Sequence, residues 1–219
     1  MITFSSKSVF DSNCDMIVNT INCHGIMDSG IALEFSLRFP LMYQQYLTEC
    51  ESKRIATGCT YYYEENGSKI LNFPTKGTNP YIPSELSFIE KGLDFFVKHY
   101  VEYDIQSVTF PPLGCNNGKL DFDNIVKPIM ITKLSSIDLD VRVCLNEIVD
   151  GLERDMTTAL KRINVKELEA YFDELSSFEK FKEPLLSIDR FSQLASHKYL
   201  PSVSVYRAIW HHIFTSIKA

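Results

Sequence analysis

The chain has 219 residues, of which 45 % are apolar and 23 % are charged. This is the composition of an ordinary globular protein, and it excludes a disordered chain or a coiled coil. The net charge of −6 argues against a general nucleic-acid binder, since non-specific affinity comes from phosphates neutralised by Lys and Arg. It is compatible with a protein that extracts one modified nucleotide.

Neither a membrane segment nor a metal centre is expected. No apolar run reaches the roughly 18 residues that span a bilayer, and the first residues lack a signal-peptide pattern, so we expect a cytoplasmic protein with no membrane partner. The cysteines show neither CxxC spacing nor pairing with histidine, so we expect no zinc site, no disulfide framework and no cofactor. These cysteines are Cys14, Cys23, Cys50, Cys59, Cys115 and Cys144.

The first part of the chain predicts two strands, a loop and a helix. Met1–Phe4 and Met16–Val18 have the character of strands, and the polar stretch Asn19–Ser29 predicts a turn-forming loop. Gly30 then opens a helix whose apolar residues recur every four positions, at Ile31, Phe35 and Phe39. A strand, an Asn-rich loop and a helix N-terminus together are typical of an anion-binding crevice in α/β proteins.

The middle of the chain predicts a helix and a hairpin. Pro40 fits the first position of a short second helix. Cys59–Tyr63 and Ile70–Phe73 predict two strands joined by a turn at Asn66-Gly67, which is a hairpin signal. Lys76 follows the second of these strands, so its amine is expected at a strand end.

A long helix and a glycine-rich loop follow. Pro83 opens the clearest helix of the sequence, whose apolar stripe is Leu86, Ile89, Leu93, Phe96, Val97 and Tyr100. Ser107–Phe110 predicts a buried strand that leads directly into the loop Pro111–Gly118. Such a loop can turn successive N–H groups toward an anion, or it can be an ordinary strand-to-helix turn. Phe122–Ile137 predicts a helix and Val141–Leu145 the last strand.

The composition changes from Asp150 onward. Asp155–Phe178 has the pattern of one charged amphipathic helix, Leu185–Leu200 is less regular, and Val205–Ile217 is a strongly apolar helix. Two interpretations of this region stay open. It is either a small helical cap on the core or a module that binds a partner protein.

Three ordered segments resemble the motifs of the macrodomain family of ADP-ribose-binding proteins. They are Ile17–Phe39, with VNTIN, GIA and FP; Ile70–Lys76, which reads ILNFPTK; and Phe110–Leu120, which reads FPPLGCNNGKL. Within the family they are similar to the antitoxin DNA ADP-ribosyl glycohydrolases (DarG type) and the terminal ADP-ribose protein glycohydrolases. The resemblance implies an α/β protein, with a three-layer α/β/α macrodomain on a mixed central sheet over residues 1–149 and a helical region over residues 150–219.

The resemblance also implies a site. Lys76 would be the catalytic residue that attacks or orients the anomeric carbon of ADP-ribose, although a solvated lysine or a phosphate contact is the simpler interpretation from the residues alone. Asn22 would bind the distal ribose, although it could equally satisfy backbone groups of its loop. The full set expected to bind substrate is Asn22, Gly30, Ile31, Thr75, Gly114, Cys115, Asn116, Asn117 and Gly118.

Several positions depart from the family pattern. Ser6 and Lys7 stand where many macrodomains have the Gly-Asp pair that holds adenine, and Asn146 stands where relatives often have an aromatic residue. Asp28 replaces a glycine and is expected to be a turn or N-cap residue, while Lys119 also replaces a glycine. The terminal ADP-ribose protein glycohydrolases have a catalytic aspartate in the loop, at the position that Gly118 occupies here.

Two functions are carried forward. The first is an ADP-ribosyl glycohydrolase that removes ADP-ribose from a modified macromolecule, with a thymidine in DNA as the leading substrate, as an antitoxin or counter-toxin activity. The alternative is a non-catalytic ADP-ribose or nucleotide-binding macrodomain, acting as a reader, sequestering or immunity protein. The expected partners are ADP-ribose or ADP-ribosylated DNA and, under the interpretation of residues 150–219 as a partner-binding module, a toxin that contacts this region.

Overall fold

The computed structural model describes residues 1–172, 175–185, 188–196 and 200–218. The chain divides into two compact units, Met1–Ile148 and Val149–Ala219. The first unit contains all the strands described and the three motifs that the sequence analysis singled out.

A six-stranded sheet forms the centre of the first unit. Its strands are β1 (Ile2–Ser5), β2 (Met16–Asn22), β3 (Tyr61–Glu65), β4 (Ser68–Lys76), β5 (Ser107–Phe110) and β6 (Asp140–Cys144). They lie in the order β1-β6-β5-β2-β4-β3. Neighbours are parallel except for the hairpin of β3 and β4, so the sheet is mixed, as predicted. The carboxyl ends of β2, β4 and β5 therefore meet at one edge.

Helices cover both faces of this sheet. They are α1 (Gly30–Arg38) and α2 (Pro40–Glu51) on one face, and α3 (Leu86–His99) and α4 (Lys127–Leu134), which follows a π-helical turn at Phe122–Val126, on the other. Successive side chains of β4 point to opposite faces of the sheet. Ile70 belongs to the core cluster that contains Phe35 of α1, whereas Leu71 belongs to the cluster that contains Phe96 of α3. The predicted three-layer α/β/α arrangement on a mixed sheet is confirmed.

Some element boundaries differ from the sequence-based predictions. β2 continues to Asn22, beyond the predicted end at Val18, because the buried amide of Asn19 donates to Oδ1 of Asn72 on β4 at 2.8 Å. The bond gives the buried Nδ2 of Asn19 an acceptor, so a polar residue can lie inside the layer, while Oδ1 of Asn19 is buried without a partner among the described residues. The helix predicted from Pro83 begins at Leu86, since Glu85 is in an extended conformation.

The second unit is helical. It contains α5 (Gly151–Arg162), α6 (Leu175–Leu185) and α7 (Val203–Lys218), with 3-10 segments at Val165–Tyr171 and Phe191–Ser196. Within the described ranges, every helix of the chain is too short or too polar to cross a bilayer.

The single helix predicted for Asp155–Phe178 is wrong. The backbone of Ile163 is extended, which ends α5, and the side chain of Asn164 then caps a 3-10 segment by accepting the N–H of Lys166 at 3.3 Å. Asn favours such a cap over a helix interior, because its side chain competes for the backbone groups. Residues 173 and 174 of the predicted helix lie outside the described residues.

Candidate active site

A cleft of about 490 Å³ opens at the carboxyl ends of β2, β4 and β5. Lys76 and all nine expected substrate-binding residues line it, although they come from three distant segments of the chain: Asn22, Gly30, Ile31, Thr75, Gly114, Cys115, Asn116, Asn117 and Gly118. The cleft lies where ligands bind in open α/β sheets, outside the carboxyl ends of the strands. The structure therefore brings the predicted site together in one place.

The cleft also contains residues that the sequence analysis did not assign to the site. They are Thr20, Ile21, Ile26, Asp28, Ser29, Ala32, Pro80, Tyr81, Pro111, Pro112, Lys119 and Asn146. Ser29, not Asp28, is the N-cap residue of α1, so Asp28 belongs to the turn before the helix. No motif marks Pro80 or Tyr81 in the sequence, because a loop residue carries no periodicity that would place it at a cleft.

A second cavity, of about 600 Å³, lies at the opposite edge of the sheet, near the amino ends of β2 and β4. Its cationic side chains already have partners within the protein. Lys69 Nζ donates to the carbonyl oxygens of Tyr103 at 3.1 Å and Asp104 at 2.7 Å, and Arg38 pairs with Glu34 at 3.2 Å. The cleft at the carboxyl edge is therefore the better candidate for an anionic ligand.

The loop after β5 and the start of α1 form one wall of the cleft, which is the candidate anion-binding wall. The amide of Asn117 donates to Ser29 Oγ at 3.0 Å and ties the two segments together. Gly30 allows this approach, because it has φ +58° and a Cβ would lie 3.3 Å from Asn117 Nδ2. In the part of the chain that the structure describes, no protein acceptor receives the N–H groups of Asn116, Asn117 or Gly118. These groups and the free N–H groups of a helix start favour an anion.

Gly118 is packed so closely that no side chain fits. A Cβ at this position would overlap the carbonyl oxygen of Gly114 and Oγ of Ser84, while the N–H of Ser84 donates to the Gly118 carbonyl at 2.9 Å. An aspartate in the place of Gly118 would push this loop apart. The cleft therefore has no room for the loop aspartate of the terminal ADP-ribose protein glycohydrolases.

Asn22 organises the turn that leads from β2 toward α1. Its Oδ1 accepts the N–H groups of His24 at 2.9 Å and Gly25 at 3.1 Å and the hydroxyl of Tyr46 at 3.1 Å, and its Nδ2 donates to the carbonyl of Ile26 at 2.6 Å. The geometry thus favours the interpretation in which Asn22 satisfies its own loop. The predicted contact with ribose stays a prediction, and only the second amide N–H could make it.

Lys76 reaches the cleft through an irregularity in the sheet. Ile21 of β2 pairs with Pro74 and Asn22 pairs with Lys76, so Thr75 is an extra residue in β4. Such a bulge changes the direction of the side chains that follow it. The Thr75 hydroxyl donates to the carbonyl of Ile21 at 3.4 Å, which holds the bulge against β2.

The amine of Lys76 has a lowered pKa. Partial burial is the main cause, and the positive charge of Lys119 adds to it. The amine donates to the carbonyl of Pro80 at 2.8 Å. The fraction of neutral amine near neutral pH is therefore larger than for an ordinary lysine, and a neutral amine is what a nucleophilic lysine requires.

The side chains of Cys115 and Asn146 both make contacts within the protein. Burial raises the pKa of the Cys115 thiol to about 12, and its Sγ contacts the carbonyl of Leu113 at 3.2 Å, so it is a neutral thiol rather than a nucleophile. Asn146 Oδ1 accepts the N–H of Val9 at 2.9 Å. Its side chain therefore supports the turn after β1 where relatives place an aromatic ring.

A model of the Macro domain family matches residues 18–129 of the chain. The chain belongs to the Macro domain family. The family predicted from the three motifs is thus confirmed, and the matched residues lie within the first unit.

Three similar proteins are named as a DNA ADP-ribosyl glycohydrolase, a DarG macrodomain and a DarTG protein. The DNA ADP-ribosyl glycohydrolase of Mycobacterium tuberculosis is 29 % identical over 192 residues, covering 84 % of this chain and 54 % of the relative. The macrodomain of M. tuberculosis DarG is 32 % identical with a TM-score of 0.62, covering 66 % of this chain and 97 % of that structure. Thermosipho africanus DarTG in complex with ADP-ribose is 27 % identical with a TM-score of 0.60, covering 69 % and 44 %. This chain spans about half the length of the M. tuberculosis glycohydrolase.

Proposed function

We propose that this macrodomain protein is an ADP-ribosyl glycohydrolase that releases ADP-ribose from a base in DNA, with thymidine as the leading substrate. The observation that carries the proposal is the position of Lys76, whose amine has a lowered pKa, in the same cleft as the anion-binding loop. The names of the relatives add the substrate class: DNA ADP-ribosyl glycohydrolase.

The cleft suggests how ADP-ribose would lie. The diphosphate would accept hydrogen bonds from the N–H groups of Asn116, Asn117 and Gly118 and face the start of α1. Lys119 lines the same cleft and would add positive charge beside the diphosphate. The distal ribose would then extend toward the end of β4, where its anomeric carbon meets Lys76.

The proposed reaction uses the neutral amine of Lys76 as a nucleophile. Its lone pair forms a bond to the anomeric carbon, the bond from that carbon to the base nitrogen breaks, and the base nitrogen keeps the electron pair and takes a proton. The lysine nitrogen then loses its extra proton. Water next adds to the anomeric carbon, one proton of the water passes to the lysine nitrogen, and the carbon–lysine bond breaks. The net reaction consumes one water and yields ADP-ribose, the unmodified base and the free lysine.

The test is the release of ADP-ribose from a single-stranded oligonucleotide that carries ADP-ribosylated thymidine. We expect the full chain to yield free ADP-ribose and the unmodified oligonucleotide, both identified by mass spectrometry. A protein with ADP-ribose on glutamate serves as the comparison substrate. Release from the protein alone would refute the assignment to DNA, and release from neither would refute the hydrolase assignment.

A non-catalytic ADP-ribose reader is the second candidate. The hydrogen bond of the Lys76 amine to the Pro80 carbonyl favours it, since that bond holds the amine on the protein instead of on the substrate. Calorimetric binding of free ADP-ribose without turnover of either conjugate would support the reader, and an absence of binding would contradict it.

Residues 150–219 stay a candidate region for contact with a toxin, with a helical cap as the alternative. A protein that co-purifies with the full chain and is lost when these residues are removed would support the contact. An unchanged set of partners would support the cap.

Lys119 is expected to set the pH range of the reaction. Burial is the main cause of the lowered pKa of Lys76, and the positive charge of Lys119 lowers it further, so Lys119→Gln should raise that pKa and move the acid limb of the rate profile to higher pH. At a pH of about 6.5 the single-turnover rate at saturating substrate should fall several-fold, and well above the pKa it should approach the wild-type rate.

The matched control for this prediction is Lys98→Gln, which removes a charge from an exposed lysine in the last turn of α3. Its pH profile should coincide with that of the wild type. A Lys119→Gln profile displaced to lower pH, or one that is not displaced at all, would contradict the electrostatic role.

A further inference from the structure

Tyr81 is the most exposed large aromatic side chain near the cleft. It is 89 % exposed and it lines the rim beside Pro80 and Lys76. Among the described residues its ring contacts no other aromatic ring and no cation. A single exposed aromatic residue is common on protein surfaces. A role for Tyr81 must therefore follow from its position at the cleft and from the hydrogen bonds of its segment.

Three hydrogen bonds connect the segment that presents Tyr81 to neighbouring residues. The side chain of Asn79 accepts the N–H of Tyr81 at 3.1 Å, and the carbonyl of Asn79 accepts the N–H of Ile82 at 3.3 Å. The Lys76 amine donates to the carbonyl of Pro80 at 2.8 Å. Tyr81 is thus anchored through its immediate neighbour to the residue that would meet the anomeric carbon.

The proposed orientation of ADP-ribose decides what lies against this ring. The anion-binding loop occupies one wall of the cleft and Lys76 another, so the group bonded to the anomeric carbon must leave the cleft on the side of Lys76 and Tyr81. Resting on the proposed function, we infer that Tyr81 is a stacking platform for the nucleobase that carries ADP-ribose. A flat base offers a face that matches an exposed aromatic ring.

The charge of the segment fits recognition by stacking. Residues 77–82, which read GTNPYI, contain no lysine or arginine. Contacts with the phosphates of a DNA strand would require such residues and would make affinity fall steeply with salt. The contribution of Tyr81 to affinity is therefore expected to be largely independent of salt.

The test compares Tyr81→Ala with Tyr81→Phe, which keeps the ring, in the full chain that also carries Lys76→Arg, which prevents turnover and keeps a donor for the carbonyl of Pro80. Dissociation constants are measured for the ADP-ribosylated thymidine oligonucleotide and for free ADP-ribose. Tyr81→Ala should weaken binding of the oligonucleotide by about ten- to a hundredfold. It should leave binding of free ADP-ribose unchanged, and Tyr81→Phe should match the parent for both ligands. The factor should persist when salt is raised from about 50 to about 200 mM.

Equal binding of the oligonucleotide by Tyr81→Ala and its parent would overturn the inference. An equal loss for free ADP-ribose would overturn it too, because the ring would then contact ADP-ribose rather than the base. The assay measures binding only, so a wild-type protein that releases no ADP-ribose would refute the hydrolase assignment and leave this test readable.

Discussion

Lys76→Ala is expected to reduce the release of ADP-ribose by about a thousandfold or more. A positioned nucleophile or general base contributes on the order of 10² to 10⁴ to a rate, and in the cleft the lysine whose pKa is lowered by burial is Lys76. Single-turnover release from the modified oligonucleotide measures the effect. Lys98→Ala, which removes an exposed lysine from α3, should retain the wild-type rate.

A second substitution separates a nucleophile from a phosphate contact. Lys76→Arg keeps the positive charge, but a guanidinium stays protonated and cannot attack carbon. We expect Lys76→Arg to be as inactive as Lys76→Ala while free ADP-ribose still binds. If Lys76→Arg instead retained most of the activity, Lys76 would be a cation that holds phosphate and the nucleophilic mechanism would be wrong.

Gly118→Ala is expected to disrupt the anion-binding loop. The added Cβ would overlap the Gly114 carbonyl oxygen and Oγ of Ser84, and both belong to tightly packed segments. Overpacking of this kind costs about 1 to 3 kcal/mol of stability. Because the loop must move to relieve it, binding of ADP-ribose should weaken at least about thirtyfold, which is roughly 2 kcal/mol.

Gly151→Ala is the matched control for Gly118→Ala. It makes the same chemical change at the first residue of α5, where a Cβ would meet no atom within 4 Å. Its melting temperature and its affinity for ADP-ribose should be close to those of the wild type. Normal binding of ADP-ribose by Gly118→Ala would show that the loop amides do not hold the diphosphate.

The sequence predicts those parts of the fold that depend on local patterns. The apolar stripe of α3, the hairpin around Asn66-Gly67 and the strand β5 were predicted because periodicity and turn chemistry act over a few residues. The extension of β2 was missed because it depends on the amide pair of Asn19 and Asn72, which are distant in the sequence and meet only in the folded sheet.

The sequence also predicted part of the candidate site. Short motifs identified the residues that line the cleft, but not which atoms remain available to a ligand. The amide of Asn22 is largely used by its own turn, and this follows from a loop conformation that no pattern encodes. The pKa of Lys76 depends mainly on burial of its amine and in part on the charge of Lys119, and both follow from how distant segments pack. Tyr81 has no periodic context, so only the folded chain places it at the rim.

The extra residue in β4, Thr75, affects how Lys76 is placed opposite β2. Side chains alternate between the two faces of a strand, and Thr75 shifts that alternation by one step just before Lys76. A homologue that lost one residue between Phe73 and this lysine would still pair the lysine with Asn22 of β2, but without the bulge and without the Thr75 hydroxyl that donates to the carbonyl of Ile21. An alignment of related sequences across this strand should therefore place a missing residue at Thr75, which keeps the lysine opposite Asn22.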